Sequence, residues 1–245
     1  MKQLLVVLAL LLAAPAFAQE LAASEEASRR SLESERRFVL ELRGGRFRPE
    51  IDSRFPATAQ PYNDIFGKKA MWLFEGELDY ELYQGIGTLS AGFAAGYGAV
   101  YGHGIVALTG EQAPDLTVLK ILPLRLLAVY RFDWLARELG IPLVPFGKLG
   151  LAHTLWWVTE GTGAIAKFGS DKALGGKWGY EAALGLAFEL NFIDRAVGRE
   201  FDADFGVNHV FAFGELTRLT ANNFGSAKGL DLSDTSWQFG LAFEF

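Results

Sequence analysis

An alternation of apolar and polar residues with a period of two constrains this chain more than any other feature. Between Trp72 and Leu82, one set of positions holds Trp72, Phe74, Gly76, Leu78, Tyr80 and Leu82. The intervening set holds Leu73, Glu75, Glu77, Asp79 and Glu81. Successive side chains of an extended strand point to opposite faces, so this is a strand with one apolar and one acidic face, not a helix of period 3.6. Thr88–Gly98, Trp178–Leu190 and Thr235–Phe245 repeat the pattern. Phe38–Phe47, Leu119–Phe132, Leu143–Trp157 and Asp204–Leu216 carry less regular versions. The sum is eight strands, an even number, each near the roughly 9–11 residues that a tilted strand needs to cross a bilayer.

The segments between these strands alternate in length. Gln84–Gly85 is a tight turn, and Asp133–Pro142 and Asn191–Ala203 are moderate. Pro49–Met71, Val100–Leu116, Thr159–Lys177 and Thr217–Asp234 are long and polar. With both termini on one side, every long connection falls on the other, the asymmetry of bacterial outer-membrane barrels. Asp133–Gly140 and Asp194–Phe201 each read as a helical turn capped by Asp.

The amino terminus agrees with an exported barrel. Lys2 is followed by an apolar stretch from Leu4 to Ala14, and Pro15-Ala16-Phe17-Ala18 offers small residues at a cleavage site before Gln19. Residues 1–18 read as a Sec signal peptide. Residues 19–37 read as a charged periplasmic segment, and 38–245 as the barrel. The chain has no cysteine, so neither a disulfide framework nor a lipidated cysteine is available. The precursor's formal charge is −6, and loss of Lys2 with the signal makes the mature chain one unit more negative, which argues against a nucleic-acid partner.

Alternation alone does not say which face is buried. Two sets of aromatics argue that the apolar face meets lipid. Trp72, Tyr97, Tyr101, Trp156, Trp157, Trp178 and Trp237 fall toward one end of the strands, and Tyr80, Tyr83, Tyr130, Trp134, Phe192 and Phe245 toward the other. Membrane barrels carry such girdles at both interfaces. The polar face is then the lumen, and an eight-stranded barrel leaves an interior just wide enough for side chains. The expectation is an ion-paired, closed lumen built from Arg43, Glu75, Glu77, Asp79, Glu81, Arg125, Arg131, Lys148, Glu181 and Glu189. Gly92, Gly96, Gly98, Gly185 and Gly240 would make room for the long Arg and Glu side chains, or let the sheet curve sharply.

The final run, Trp237-Gln-Phe239-Gly-Leu241-Ala-Phe243-Glu-Phe245, resembles the C-terminal assembly signal of outer-membrane proteins. From about Phe38 to Phe245 the chain resembles the small eight-stranded bacterial outer-membrane barrels, including the uncharacterised barrels described from myxobacteria. The resemblance implies an all-β, antiparallel up-and-down transmembrane barrel with both termini periplasmic. It also implies recognition by the barrel assembly machinery, outer-membrane lipid and lipopolysaccharide as surroundings, and a monomer.

The residues that could carry catalysis do not assemble into a site in the sequence. His103, His153 and His209 lie on separate segments without HxH or HxxxH spacing, which gives no metal site. A lipid-deacylating barrel would need a serine two residues from a histidine, but Leu155 follows His153, and Ser90 and Ser236 have no histidine nearby. The glycine run Gly96–Gly104 lacks the Lys-Ser/Thr end of a phosphate loop and reads as a strand end entering a surface loop. The acidic ladder Glu75–Glu81 reads as lumen ion pairing before it reads as a cation path. No cofactor and no enzymatic activity are expected. The function read from the sequence is a scaffold that presents long external loops. The alternatives are a narrow channel for small solutes, a lipid-modifying barrel enzyme, and a soluble periplasmic barrel with the apolar face turned inward.

Overall fold

The computed structural model describes residues 37–105, 112–168, 170–192, 206–226 and 229–245. The chain divides into two units, Met1–Glu35 and Arg36–Phe245, and all described residues belong to the second. The expected signal peptide and nearly all of the charged segment 19–37 lie outside the described residues, as does the helical turn expected at Asp194–Phe201.

Among the described residues ten strands occur in chain order: β1 (Phe38–Phe47), β2 (Met71–Gln84), β3 (Thr88–Ile105), β4 (Gln112–Arg131), β5 (Leu143–Thr159), β6 (Lys167–Phe168), β7 (Asp171–Lys172), β8 (Leu174–Glu189), β9 (His209–Ala221) and β10 (Asp234–Glu244). Eight of them close into an antiparallel barrel in the order β1-β10-β9-β8-β5-β4-β3-β2, and β6 and β7 pair separately in the connection between β5 and β8. Closure pairs β1 with β10, from Val39–Glu244 to Gly45–Gln238, so no sheet edge is left along the barrel. Among the described residues two short α-helices, α1 (Pro61–Phe66) and α2 (Trp134–Leu139), sit in connections at opposite ends. No helix among the described residues is long and apolar enough to cross a membrane.

The strands differ from the sequence expectation chiefly at one end, termed here the loop end. β3 runs to Ile105 and β4 starts at Gln112, so most of the expected loop Val100–Leu116 is paired sheet, and the whole glycine run Gly96–Gly104 lies inside β3. The backbone pairing of His103 with Leu116 needs no polar side chain, so composition did not reveal it. In the same way β8 begins at Leu174, inside the expected loop Thr159–Lys177. The ninth strand is displaced from the expected Asp204–Leu216. It begins at His209, where Asn191 brackets the chain by donating to the Asn208 carbonyl (2.8 Å) and accepting from the Val210 amide (3.0 Å). It continues to Ala221 because Thr217, Leu219 and Ala221 keep the inward parity and are buried. Asp204 and Phe205 lie outside the described residues.

Over most of each barrel strand the burial alternates. Glu75, Glu77 and Asp79 point in, while Trp72, Phe74, Leu78 and Tyr80 point out. The outward set is very exposed: Leu184 is 75% accessible, Phe74 and Phe239 64%, and Leu126 63%. Trp156 corrects the girdle expected from sequence. Adjacent residues of a strand take opposite faces, so Trp157 has the outward parity while Trp156 packs against the interior.

The interior is layered. At the loop end Phe47, Met71, Leu73, Leu119, Ile121 and Leu219 form an apolar layer, and Ile51, Tyr62 and Phe66 from the β1–β2 connection fold into it. The connection is therefore a plug. Asp52 caps α1 by accepting from the amides of Tyr62 (2.8 Å) and Asn63 (3.1 Å). Arg54 pairs with Asp231 at 2.9 Å, which ties the plug to the β9–β10 connection. Burial pushes the Asp231 carboxyl up, but hydrogen bonds from the Ser233 hydroxyl and amide, Asn222 and Arg54 outweigh it and hold the carboxyl below its ordinary value. At the other end Val39, Val144, Phe146, Ala187, Phe213 and Ala242 form a second layer, with Phe146 and Phe213 edge to face at 5.7 Å.

The plug gives a pH-dependent prediction. Burial raises the Tyr62 phenol from 10.0 to about 12, and its hydroxyl donates to the Lys69 carbonyl at 2.8 Å. A group whose folded value is raised contributes stability that is complete below the unfolded value and lost as pH rises through the folded one. The plug should therefore loosen between pH 10 and about 12. Phenolate absorbance and proteolysis within 48–70 should rise together over that window, and Tyr62→Phe should abolish the pH dependence of the proteolysis.

Candidate functional site

Between the two apolar layers lies a set of charged side chains contributed by six strands. Inward parity on β1 supplies Glu41 and Arg43, and on β2 Glu75, Glu77 and Asp79. β4 supplies Arg125 and Arg131, β5 Lys148, β8 Glu181 and β9 Glu215. All are buried except Arg131, whose side chain is 14% accessible.

Arg43 is the hub. Its Nε donates to Glu75 Oε2 at 3.1 Å and lies 3.3 Å from Glu215 Oε1. Its Nη1 donates to Glu41 Oε2 at 3.3 Å and to Glu77, and Nη2 lies 3.8 Å from Glu181 Oε1. Arg125 bridges Glu75 and Glu181, the latter through Nε at 2.6 Å. Lys148 joins Glu41, Glu77 (3.0 Å) and Glu215 (3.4 Å), with its ammonium 5.3 Å from the Phe146 ring centroid and 5.6 Å from that of Phe213. Arg131 bridges Asp79 and Glu41, the latter at 2.7 Å. Thr217 donates to Glu215 Oε1 at 3.1 Å. Charges taken out of water persist only when each finds partners, and here every cation contacts at least two carboxylates.

Glycine makes room for this layer. A Cβ at Gly96 would lie 2.7 Å from Glu75 Oε1, and one at Gly92 would collide with the Asp79 carboxylate. Gly185 and Gly98 instead accommodate the apolar side chains Phe146 and Met71, and a Cβ at Gly240 would meet the Leu42 carbonyl oxygen and Arg43.

Two of the residues assigned to the lumen from sequence lie outside this layer. Glu81 accepts from Gln84 Nε2 at 2.5 Å, beyond which a register shift between Glu81 and Tyr83 interrupts the alternation. Glu189 sits at the far rim, 3.5 Å from His209 Nε2, and Glu244 approaches His209 Nδ1 at 3.4 Å. Glu41 and Glu215 are members that the sequence reading missed. Glu41 has the parity of Arg43, and Glu215 that of Phe213 and Thr217, so strand parity carried the signal.

The three histidines are far apart in the fold. His103 lies near the end of β3 with Nδ1 3.2 Å from the Ala113 carbonyl, and His153 faces outward with its ring 4.2 Å from that of Trp178. His209 is at the opposite rim. Ser90 and Ser236 point inward and are buried. Glu41, Glu77 and Asp79 bring carboxylate oxygens within 4.8 Å of one another, a spacing suited to a cation. Arg43, Arg131 and Lys148 already contact these three carboxylates and supply the positive charge. Asp133 heads α2 without a side-chain cap, because its carboxylate accepts from Thr88 Oγ1 at 2.8 Å and pairs with Arg137 at 3.2 Å.

The carboxy-terminal residues Trp237, Phe239 and Leu241 face outward and are exposed, and Phe243 and Phe245 are half-buried. The Phe245 carbonyl accepts from the Arg37 and Phe38 amides at 2.8 and 3.2 Å, so the last residue closes the seam.

No family model and no curated protein matches the sequence. Among solved structures the barrel is similar to Ail, the attachment invasion locus protein of Yersinia pestis, solved with the heparin analogue sucrose octasulfate. The identity is 12%, the match covers 87% of this chain and 100% of that one, and the TM-score is 0.43. It is also similar to Neisserial surface protein A (11%, 85% and 96%, TM-score 0.41). A further match is the N-terminal β-barrel domain of Pseudomonas aeruginosa OprF (16%, 86% and 100%, TM-score 0.36).

Proposed function

We propose that this chain is an outer-membrane β-barrel scaffold with a closed lumen. Residues 1–18 direct export, both termini face the periplasm, and the loop end faces outward. The observation that carries the reading is the pairing of a filled, charged interior with an apolar exterior. Six carboxylates and four cations occupy the centre of the lumen, the β1–β2 connection plugs one end, and Leu, Phe, Tyr and Trp cover the outside. Contiguous apolar surface on that scale is foreign to a soluble monomer and suits lipid, with aromatics toward the strand ends.

In this reading the barrel is a monomer in lipopolysaccharide-containing membrane, inserted by the barrel assembly machinery through its carboxy-terminal strand. It performs no catalysis. Its activity resides in the connections 48–70, 160–173 and 222–233, presented to partners outside the cell. Planar-bilayer recording tests the closed lumen: the purified barrel should insert without discrete conductance steps. Regular steps would instead establish a narrow channel through the charged layer.

A further inference from the structure

We propose that the outer wall of β1–β4 at the loop end binds a phosphorylated glycolipid of the surrounding leaflet, an inference that rests on the membrane reading above. Strand parity keeps the acids of the barrel strands off the outer wall. Every Asp and Glu on the described barrel strands has inward parity, whereas Arg46, Lys120 and Arg218 have outward parity, and all three lie in the loop-end half. Arg218 is already held by Glu50, at 2.5 and 3.0 Å. Arg46 and Lys120 have no carboxylate partner among the described residues.

These two cations lie in one row of paired residues. Arg46 pairs with Trp72, Trp72 with Ala99, Ala99 with Lys120, and Lys120 with Trp157. The row reads cation, aromatic, small residue, cation, aromatic. Three strand spacings place the Cα atoms of Arg46 and Lys120 roughly 14 Å apart, the scale of a disaccharide headgroup with a phosphate at each end. The Arg46 guanidinium lies over the Trp72 ring at 5.5 Å, and Trp72 is 55% exposed. Ala99 leaves the wall low between Trp72 and Lys120. Tyr97 and Trp157, with ring centroids 6.4 Å apart, stand beside the low point. Lys69, which donates to the Tyr101 carbonyl at 3.1 Å, adds a third cation at the same margin.

Cations that lack an internal partner suit phosphate oxygens, and Arg presents two parallel donors to them. Exposed aromatic faces suit the apolar faces of sugar rings at a membrane surface. A free polyphosphate uses the cations and leaves the aromatics idle. A zwitterionic phospholipid brings one phosphate, already countered by its own amine. A phosphorylated glycolipid uses both features.

The test is native mass spectrometry of the full chain, folded in vesicles and transferred to detergent with bisphosphorylated lipid A as probe. The same lipid without phosphates and phosphatidylglycerol serve as comparisons. Adducts should form preferentially with the bisphosphorylated lipid. Arg46→Ala with Lys120→Ala should weaken them roughly thirtyfold, and Arg46→Lys with Lys120→Arg should retain them. Equal adducts with the phosphate-free lipid, or an undiminished preference in the alanine pair, would overturn the proposal. Insertion is scored first by gel mobility. A chain that stays out of vesicles overturns the membrane reading and this one together, whereas insertion without phosphate preference overturns this one alone.

Discussion

Replacing Arg43 with Met is expected to destabilise the barrel by about 3–5 kcal/mol, the usual consequence of removing one partner from a buried ion pair. Arg43 contacts Glu41, Glu75, Glu77, Glu181 and Glu215, so its loss leaves several buried carboxylates short of a partner. Arg125 and Lys148 compensate only part of this, because each is already committed to its own carboxylates. Urea titration of the barrel folded in vesicles measures the effect. Arg46→Met is the matched control three residues along the same strand. It removes an identical charge from the outer face and should change the unfolding free energy by no more than about 0.5 kcal/mol. Equal effects at the two positions would mean that the inward layer is not the electrostatic centre of the fold.

The second large effect is expected on the opposite face. Leu126 lies on β4 between Lys120 and Tyr130, points outward and is 63% exposed. In water, Leu126→Arg at such a position is nearly neutral, within about 0.5 kcal/mol. Facing hydrocarbon near the middle of a bilayer, the same change is expected to cost about 2–4 kcal/mol. The substitution thus converts the choice between a lipid-facing and a solvent-facing wall into one measured free energy. It leaves the lumen untouched, since Leu126 pairs in register with Phe93 and Leu151, which also face outward.

The fold was largely legible because period-two alternation survives in nearly every strand. Where polar and apolar residues alternate cleanly, as at Trp72–Leu82 and Thr235–Phe245, the strand and the division of its residues between two faces follow directly. β1 was placed at both ends, Phe38–Phe47. The alternation weakens where both faces are apolar or small. At Val100–Ile105 and Gln112–Val118 the sheet extends into a segment of mixed composition, because backbone pairing between β3 and β4 does not depend on which face is polar. The ninth strand differs from its expected span because the apolar run up to Phe213 extends the strand pattern upstream, while the start is set by the side-chain amide of Asn191, a tertiary contact.

The central layer was partly legible for the same reason. Acidic residues at alternate positions of β2 announce an inward ladder, and Arg43, Arg125 and Lys148 share its parity. What parity cannot supply is depth along the barrel axis. Glu81 and Glu189 have inward parity yet lie toward the rim. Glu41 and Glu215, each the one acid on its strand, lie at the centre. Depth depends on strand tilt and stagger, which emerge only from the closed register. The plug was illegible in a stronger sense. Ile51, Tyr62 and Phe66 sit in a segment whose composition reads as loop, and their burial depends on Asp52 and Asp231 holding the segment across the mouth.

The measurement that bears most directly on the account is gel mobility of the mature chain in detergent, boiled against unboiled, with circular dichroism of the same samples. A closed membrane barrel predicts a faster-migrating unboiled band, a β-rich spectrum before boiling, and the loss of both on heating. A chain that remains monomeric and soluble without detergent, with mobility indifferent to boiling, would contradict the account and place the apolar face on the inside.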